Sequence, residues 1–238
     1  MPSGFDSEAH LYDSRRGPPA RSEIEALLRA FEGRHRLLEV GGGTGRYAGP
    51  LLEAGHIVAV IDRSQGMLAQ ARAKGLGLTV LGDASRMPFP DRVFDGCFFV
   101  EVLHLIRNWA NAIREMGRVT RGPIAAIITV RDPDLRVIYT QTRAELGHPT
   151  GRLDGGVIAL IEMLQPRRIE EIASVRRTVD ASEALAGFEK PDHAPPGVHA
   201  AALARVKSKF GTTQPEQTET TQIAVWGSED FDKFSSTS

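Results

Sequence analysis

Leu37-Leu38-Glu39-Val40-Gly41-Gly42-Gly43-Thr44-Gly45 is the stretch that decides the fold. A short apolar run, Arg36 to Val40, enters a glycine cluster, and a helical pattern follows over Arg46 to Ala54 with Pro50 in its early turns. Strand, glycine turn and helix in that order bring backbone close to a ligand, because glycine has no Cβ and tolerates unusual φ/ψ. No Gly-Lys-Ser/Thr follows, so a P-loop is excluded. Gly41, Gly43 and Gly45 give GxGxG, and Arg46 stands where GxGxxG would place its third glycine. Glu39, two residues before Gly41, is awkward beside a dinucleotide pyrophosphate but suits a ligand bearing an ammonium group. Asp62 closes the next apolar run, where an acid can accept both hydroxyls of a ribose.

Outward from this stretch the pattern alternates strand and helix. Upstream, Ile24, Leu27, Leu28 and Phe31 form one helical face, with Ser22 and Glu25 as a capping box. Downstream, Ile57 to Ile61 is a β-branched run, and Ser64 caps a helix carrying Met67, Leu68 and Ala71. Leu78 to Leu81 is a strand before Asp83, and a proline-rich loop, Met87 to Asp91, comes next. Phe94 to Val100 reads as a strand buried on both faces. Asn108 caps a helix with Trp109, Ile113, Met116 and Val119 inward, and Ile124 to Val130 is the fifth strand. This rhythm predicts an α/β chain: right-handed βαβ units in a parallel sheet covered on both faces.

Beyond Val130 the rhythm loosens. Helices are expected at Pro133 to Leu146 and Val157 to Gln165, a strand at Ile172 to Thr178, and a short helix at Ala181 to Phe188. A loop from Lys190 to Gly197 leads to a helix with Val198, Ala202, Val206 and Phe210, and Thr221 to Trp226 is a last strand. The expected division is 1–35 as N-terminal segment and helix, 36–130 as ligand-binding core, and 131–210 as a helical cap with the sixth strand. Residues 211–226 then hold the final strand, and 227–238 form a disordered acidic tail.

Composition bounds the function. The chain has 238 residues, 41% hydrophobic and 25% charged, with a net charge of −1. From Gly211 onward the charge is −4, which leaves about +3 for the rest. That is too little cation excess to hold nucleic acid by a basic field. The single cysteine, Cys97, excludes an intrachain disulfide and a multi-cysteine zinc cage, and its apolar strand makes it inert. The longest largely apolar stretch, Ile124 to Val130, falls far short of the roughly 20 residues that span a bilayer. The N-terminus, with Asp6, Glu8 and Asp13, does not read as a signal peptide. A soluble cytoplasmic protein, monomer or homodimer, is expected.

Leu38 to Gly45, Val58 to Leu68 (VAVIDRSQGML), Gly82 to Asp95 (GDASRMPFPDRVFD) and Val100 to Val119 (VEVLHLIRNWANAIREMGRV) together resemble the class I S-adenosylmethionine-dependent methyltransferases. The likeness is to the small-molecule branch typified by ubiquinone and menaquinone biosynthesis enzymes. It implies a Rossmann-like, seven-stranded, mostly parallel sheet whose last strand is antiparallel, with S-adenosyl-L-methionine as cofactor and a small-molecule methyl acceptor. It implies that Glu39 and the backbone of Gly41, Gly42 and Gly43, with Gly45 in the same turn, face the methionine moiety. By the same likeness Asp62 binds ribose, and Arg63 with Met67 flanks adenine. Asp83 and Ala84 would meet the adenine amino edge, and Val100 and Glu101 would lie near the sulfonium. Tyr12 and Arg16 are candidate contacts to the methionine carboxylate. Relatives usually carry RVLKPGG before the fifth strand; here the turn is Arg118-Val119-Thr120-Arg121-Gly122-Pro123, at the edge away from the ligand.

For chemistry, His104 is the candidate base or orienting group, and Glu101 is a second base or a structural acceptor. Substrate candidates are Trp109, which fits a core face better than a stacking role, Arg131, read as following the fifth strand and either holding an anionic group of the acceptor or pairing with Asp132 or Asp134, and Tyr139. His193, His199 and Asp192 lack a third fixed ligand and read as solvent-exposed, so no metal is expected. Arg167-Arg168 and Arg176-Arg177 read as solvated faces. Two alternatives stand beside methyl transfer: an NAD-dependent oxidoreductase, which Glu39 and Arg46 disfavour, and a non-catalytic S-adenosylmethionine-binding protein.

Overall fold

The computed structural model describes residues 5–132, 135–148, 157–178, 195–210 and 216–232. The expected helix at 181–188, and His193 with Asp192, lie outside the described residues. Helices α1 (Ala9–Arg16) and α2 (Arg21–Ala30) precede β1 (Arg36–Val40). The core continues as α3 (Ala48–Glu53), β2 (Ile57–Asp62), α4 (Gln65–Ala73), β3 (Thr79–Leu81), β4 (Gly96–Val100), α5 (Trp109–Val119) and β5 (Pro123–Asp132). Then come α6 (Leu135–Glu145), α7 (Val157–Met163), β6 (Arg168–Thr178), α8 (Pro196–Phe210), β7 (Glu216–Gly227) and α9 (Ser228–Asp232).

The seven strands form one mostly parallel sheet, as expected; their order is β3-β2-β1-β4-β5-β7-β6, parallel through β5. β7 inserts antiparallel between β5 and β6, so the antiparallel strand is interior and β6 is the edge. Alternate residues of each central strand feed two apolar layers. Leu38, Val40, Cys97 and Phe99 join Ile113, Met116 and Trp226 on one face. Leu37, Val58, Val60 and Phe98 join Leu27, Phe31, Leu51 and Leu68 on the other. Burial on both faces is why these strands read as near-continuous apolar runs. The order reverses at β1, whose neighbours are β2 and β4, and a crevice opens beyond the carboxyl ends of the strands at such a point.

Several boundaries differ from the sequence reading. Helix α2 begins two residues earlier than the Ser22 cap implied. Its N-cap is Ala20, whose N–H donates to the carboxylate of Glu23 at 2.8 Å, so Ser22 sits inside the first turn. The helix after the glycines starts only at Ala48, because turns occupy the chain through Tyr47. The largest difference is at the C-terminus: residues 228–232 are not a disordered tail but a short helix. Phe231 is fully buried, edge-to-face on Trp226 at 5.6 Å, while Arg167 pairs with Glu229 and Asp230. Arg167 is exposed, as expected of a solvated face, and its guanidinium also ties down the final turn. The acidic letters hid one aromatic residue with a core position to fill.

Candidate functional site

The carboxyl ends of β1 to β4 bring the glycine turn, two carboxylates and Met67 together. Gly41 has φ +65°, and a Cβ there would sit 2.3 Å from the Val102 Cγ2, so only glycine lets the turn pass the segment after β4. A Cβ on Gly42 would lie 2.6 Å from the Glu39 Cδ. Glu39 therefore lies directly beneath the turn, 2% exposed, and accepts the N–H of Ala48 at 3.1 Å. Burial pushes its carboxyl up to about 8, despite that hydrogen bond. A buried acid with little compensation is a place where an incoming cation is rewarded.

Asp62 closes β2. Its Oδ2 accepts the N–H of Gly43 at 2.9 Å and its Oδ1 the N–H of Ser64 at 2.8 Å. Burial raises its carboxyl above the ordinary value in spite of these backbone hydrogen bonds. The backbone of Arg63 also hydrogen-bonds this carboxylate, and because a carboxylate has about four acceptor positions, capacity remains for a ribose hydroxyl. Met67, buried on α4, places its Cε against the same turn, 3.1 Å from where a Gly43 Cβ would be, and Arg63 is exposed beside it. Asp83 is exposed at the end of β3 and accepts the N–H and Oγ of Ser85 at 2.8 Å. Gly82 donates to the Asp62 carbonyl at 3.0 Å, which ties this corner, with the half-buried Ala84, to β2.

The other candidates divide. Glu101, after the half-buried Val100, has φ +48° and accepts the N–H of Thr129 at 2.7 Å, which straps the end of β4 to β5. His104 is half-buried in a 3₁₀ turn, Leu103–Leu105. Trp109 packs against the apolar layer around Phe99 and Ile113. Arg131 lies within β5 rather than after it, and its Nε meets the Glu219 carboxylate across β7 at 3.2 Å. Asp134, the other expected partner, lies outside the described residues. Tyr139 is buried, and its hydroxyl is 2.6 Å from Nδ1 of His199, on α8. His199 is therefore half-buried between α6 and α8, not solvent-exposed. Among the described residues no group of three or more His, Cys, Asp or Glu is placed to hold a metal ion. Cys97 is buried, which pushes its thiol up to about 12.

The sequence reading missed the way the N-terminal segment grips the site. Asp13 accepts from the Thr44 hydroxyl at 2.5 Å and from the Lys74 ammonium at 2.7 Å. Asp6 accepts from the Ser64 hydroxyl at 2.6 Å and the Gly66 N–H at 2.9 Å, and Arg46 donates to the Gly17 carbonyl at 2.8 Å. Tyr12 and Arg16 ride on this helix, with the Arg16 guanidinium 5.8 Å from the Tyr12 ring centre. No local signal marks Asp6 or Asp13, since their partners lie 58 and 31 or more residues away. Val102 follows the Val100-Glu101 pair and was within reach of sequence reasoning.

Residues 38–123 match the methyltransferase domain family. The chain is 37% identical over 101 residues to the demethylmenaquinone methyltransferase of Mycobacterium bovis, covering 42% of each chain. It is 32% identical over 158 residues to the malonyl-[acyl-carrier protein] O-methyltransferase of Serratia marcescens, covering 64% of this chain and 58% of that one. The matched region thus spans less than two thirds of the length of either relative. The crystal structure of the [4+2]-cyclase SpnF shares the fold with a TM-score of 0.54 at 20% identity, over 92% of this chain and 93% of that one. Over residues 38–123 the chain is thus similar to methyltransferases, the likeness that the sequence motifs carried. No helix among the described residues is long and apolar enough to cross a membrane.

Proposed function

We propose that the chain transfers a methyl group from S-adenosyl-L-methionine to a small-molecule acceptor in the cytoplasm. The observation that carries the reading is the pair of carboxylates at one turn. Glu39 is buried under Gly42 with its proton affinity raised, and Asp62 keeps acceptor positions open beside Gly43. The first suits an ammonium and the second a ribose diol, and together they disfavour a pyrophosphate lying on the turn. The cofactor would bring a methyl group on a sulfonium as its chemistry. Met67 and Arg63 would flank the base, Asp83 and Ala84 meet its edge, and Tyr12 and Arg16 approach the amino-acid end from α1.

In-line displacement asks the protein mainly to align two reactants in a dry space, which supplies on the order of 7–11 kcal/mol of the barrier. The acceptor's nucleophilic atom forms the new bond to carbon as the carbon–sulfur bond breaks. A base is needed only where the acceptor must shed a proton, and His104, in the turn after β4, is the group we assign to it. Glu101 is assigned as a strut, because its carboxylate is engaged by Thr129. The fold alone does not fix the reaction, as the cyclase neighbour illustrates.

Titration calorimetry with S-adenosylmethionine and S-adenosylhomocysteine tests the binding half. Asp62→Ala is expected to lose about 1–3 kcal/mol of affinity. Tight NAD binding with no affinity for either sulfur compound would reverse the assignment. A mass-spectrometric search for a methylated product among small metabolites tests the transfer half; cofactor binding with no methylated product would leave a binding protein.

A further inference from the structure

Among the described residues, β6 is the last strand of the sheet. It runs for 11 residues without a proline, Ala173 to Thr178 are all exposed, and Ile169 and Val175 are 45% and 47% exposed. A long open edge presents unpaired backbone donors and acceptors, and proteins usually blunt such an edge. Here the charges fall in two blocks of opposite sign, Glu170-Glu171 and Arg176-Arg177. Their positions along β7 are symmetric about Thr220, which faces Ser174. Glu170 and Arg177 face Ile223 and Gln217, three positions to either side. Glu171 and Arg176 face Gln222 and Thr218, two positions to either side, and Ala173 and Val175 face Thr221 and Glu219, one to either side.

The symmetry depends on a bulge at Ile172, where the register shifts between Glu171 and Ala173. In a regular strand Glu171 and Arg176 would point to opposite faces, and so would Glu170 and Arg177. The extra residue brings each pair to a common face. Two antiparallel copies of an edge strand are related by an axis perpendicular to the sheet, which keeps every residue on its own face. Only same-face residues can then oppose one another, and the bulge makes these pairs same-face.

We propose that two copies of the chain join edge to edge through antiparallel β6 strands, with Ser174 of each copy at the two-fold axis. Glu170 then opposes the partner's Arg177 and Glu171 the partner's Arg176, and symmetry repeats both pairs. Ala173 opposes the partner's Val175, and Ile169 the partner's Thr178, which covers the two exposed aliphatic side chains. Arg29 already holds Glu170 at 2.6 Å, so the partner's Arg177 extends an existing row of charge. Sliding the strands by two residues in either direction loses all four charge pairs, so the register is unique.

The test is sedimentation velocity or light scattering on the full chain, with Glu171→Arg and Arg176→Glu made separately. The wild type is expected as a dimer, and each variant alone as a monomer, its dissociation constant raised about tenfold or more. An equimolar mixture of the two variants is expected to restore the dimer, because every new charge then meets its opposite across the axis. That recovery also shows that both variants fold. A wild type that stays monomeric at about 100 µM, variants that dimerise unchanged, or a mixture that stays monomeric would each overturn the proposal.

Discussion

At the scale of single residues, Glu39 concentrates the chemistry of the site. A carboxylate out of water beneath a glycine turn is costly when ionised, and one backbone hydrogen bond from Ala48 offsets little of that cost. Its carboxyl sits at about 8 in the fold against an ordinary 4.5. The folded state therefore holds a proton that the unfolded chain has released. The stability this favours is full below about 4.5 and is lost as pH rises towards about 8. Glu39→Gln keeps an acceptor for Ala48 and removes the titration. Urea unfolding is expected to show the variant gaining on the wild type between pH 5 and pH 8, and an equal difference at both values would contradict it. Asp62 differs in kind, because its backbone hydrogen bonds leave acceptor capacity facing the turn.

At the scale of elements, the last helix shows what packing adds to composition. Ser228–Asp232 is acidic and short, yet it inserts Phe231 beside Trp226, and its Asp230 accepts the Gly227 N–H at 2.9 Å. The Trp226 indole N–H donates to the Leu164 carbonyl at 2.7 Å, so this corner joins β7, α9 and the chain after α7. Phe231→Ala is expected to cost about 3–5 kcal/mol in denaturant unfolding, as for a fully buried aromatic. A loss below about 1 kcal/mol would mean the helix is dispensable to the fold. α6 and α8 make a similar case: Tyr139 and His199 meet across 60 residues of sequence. Neither helix pattern revealed that contact, because each was read for its own apolar face.

At the scale of the whole molecule, the N-terminal segment acts on the site from outside the sheet. Asp13 ties α1 to Thr44 in the glycine turn and to Lys74 at the end of α4. Burial alone raises its carboxyl, but the hydrogen bonds from Lys74 and Thr44 hold it below the ordinary value. This latch therefore stays closed above the ordinary carboxylate range and is lost as pH falls through the folded value. Asp13→Ala is expected to weaken S-adenosylhomocysteine binding at pH 7 by about 1 kcal/mol, and to speed hydrogen exchange in Ala9–Arg16. Unchanged affinity and exchange would separate the segment from the proposed cofactor site.

Leu37 to Gly45, the apolar strands and Asp62 could be read directly, because a strand buried on both faces must be apolar and a tight turn under a ligand must be glycine. These local requirements determined the parallel core and the placement of the two carboxylates at its carboxyl edge. Tertiary structure alone decided that Glu39 is buried, that Val102 closes on Gly41, and that Asp6 and Asp13 hold the N-terminus over the turn. It also decided that residues 228–232 form a helix and that β6 is the last strand among the described residues. The physical reason is the same in each case: these contacts join segments far apart in the chain. Their energy depends on burial and register that no local pattern records.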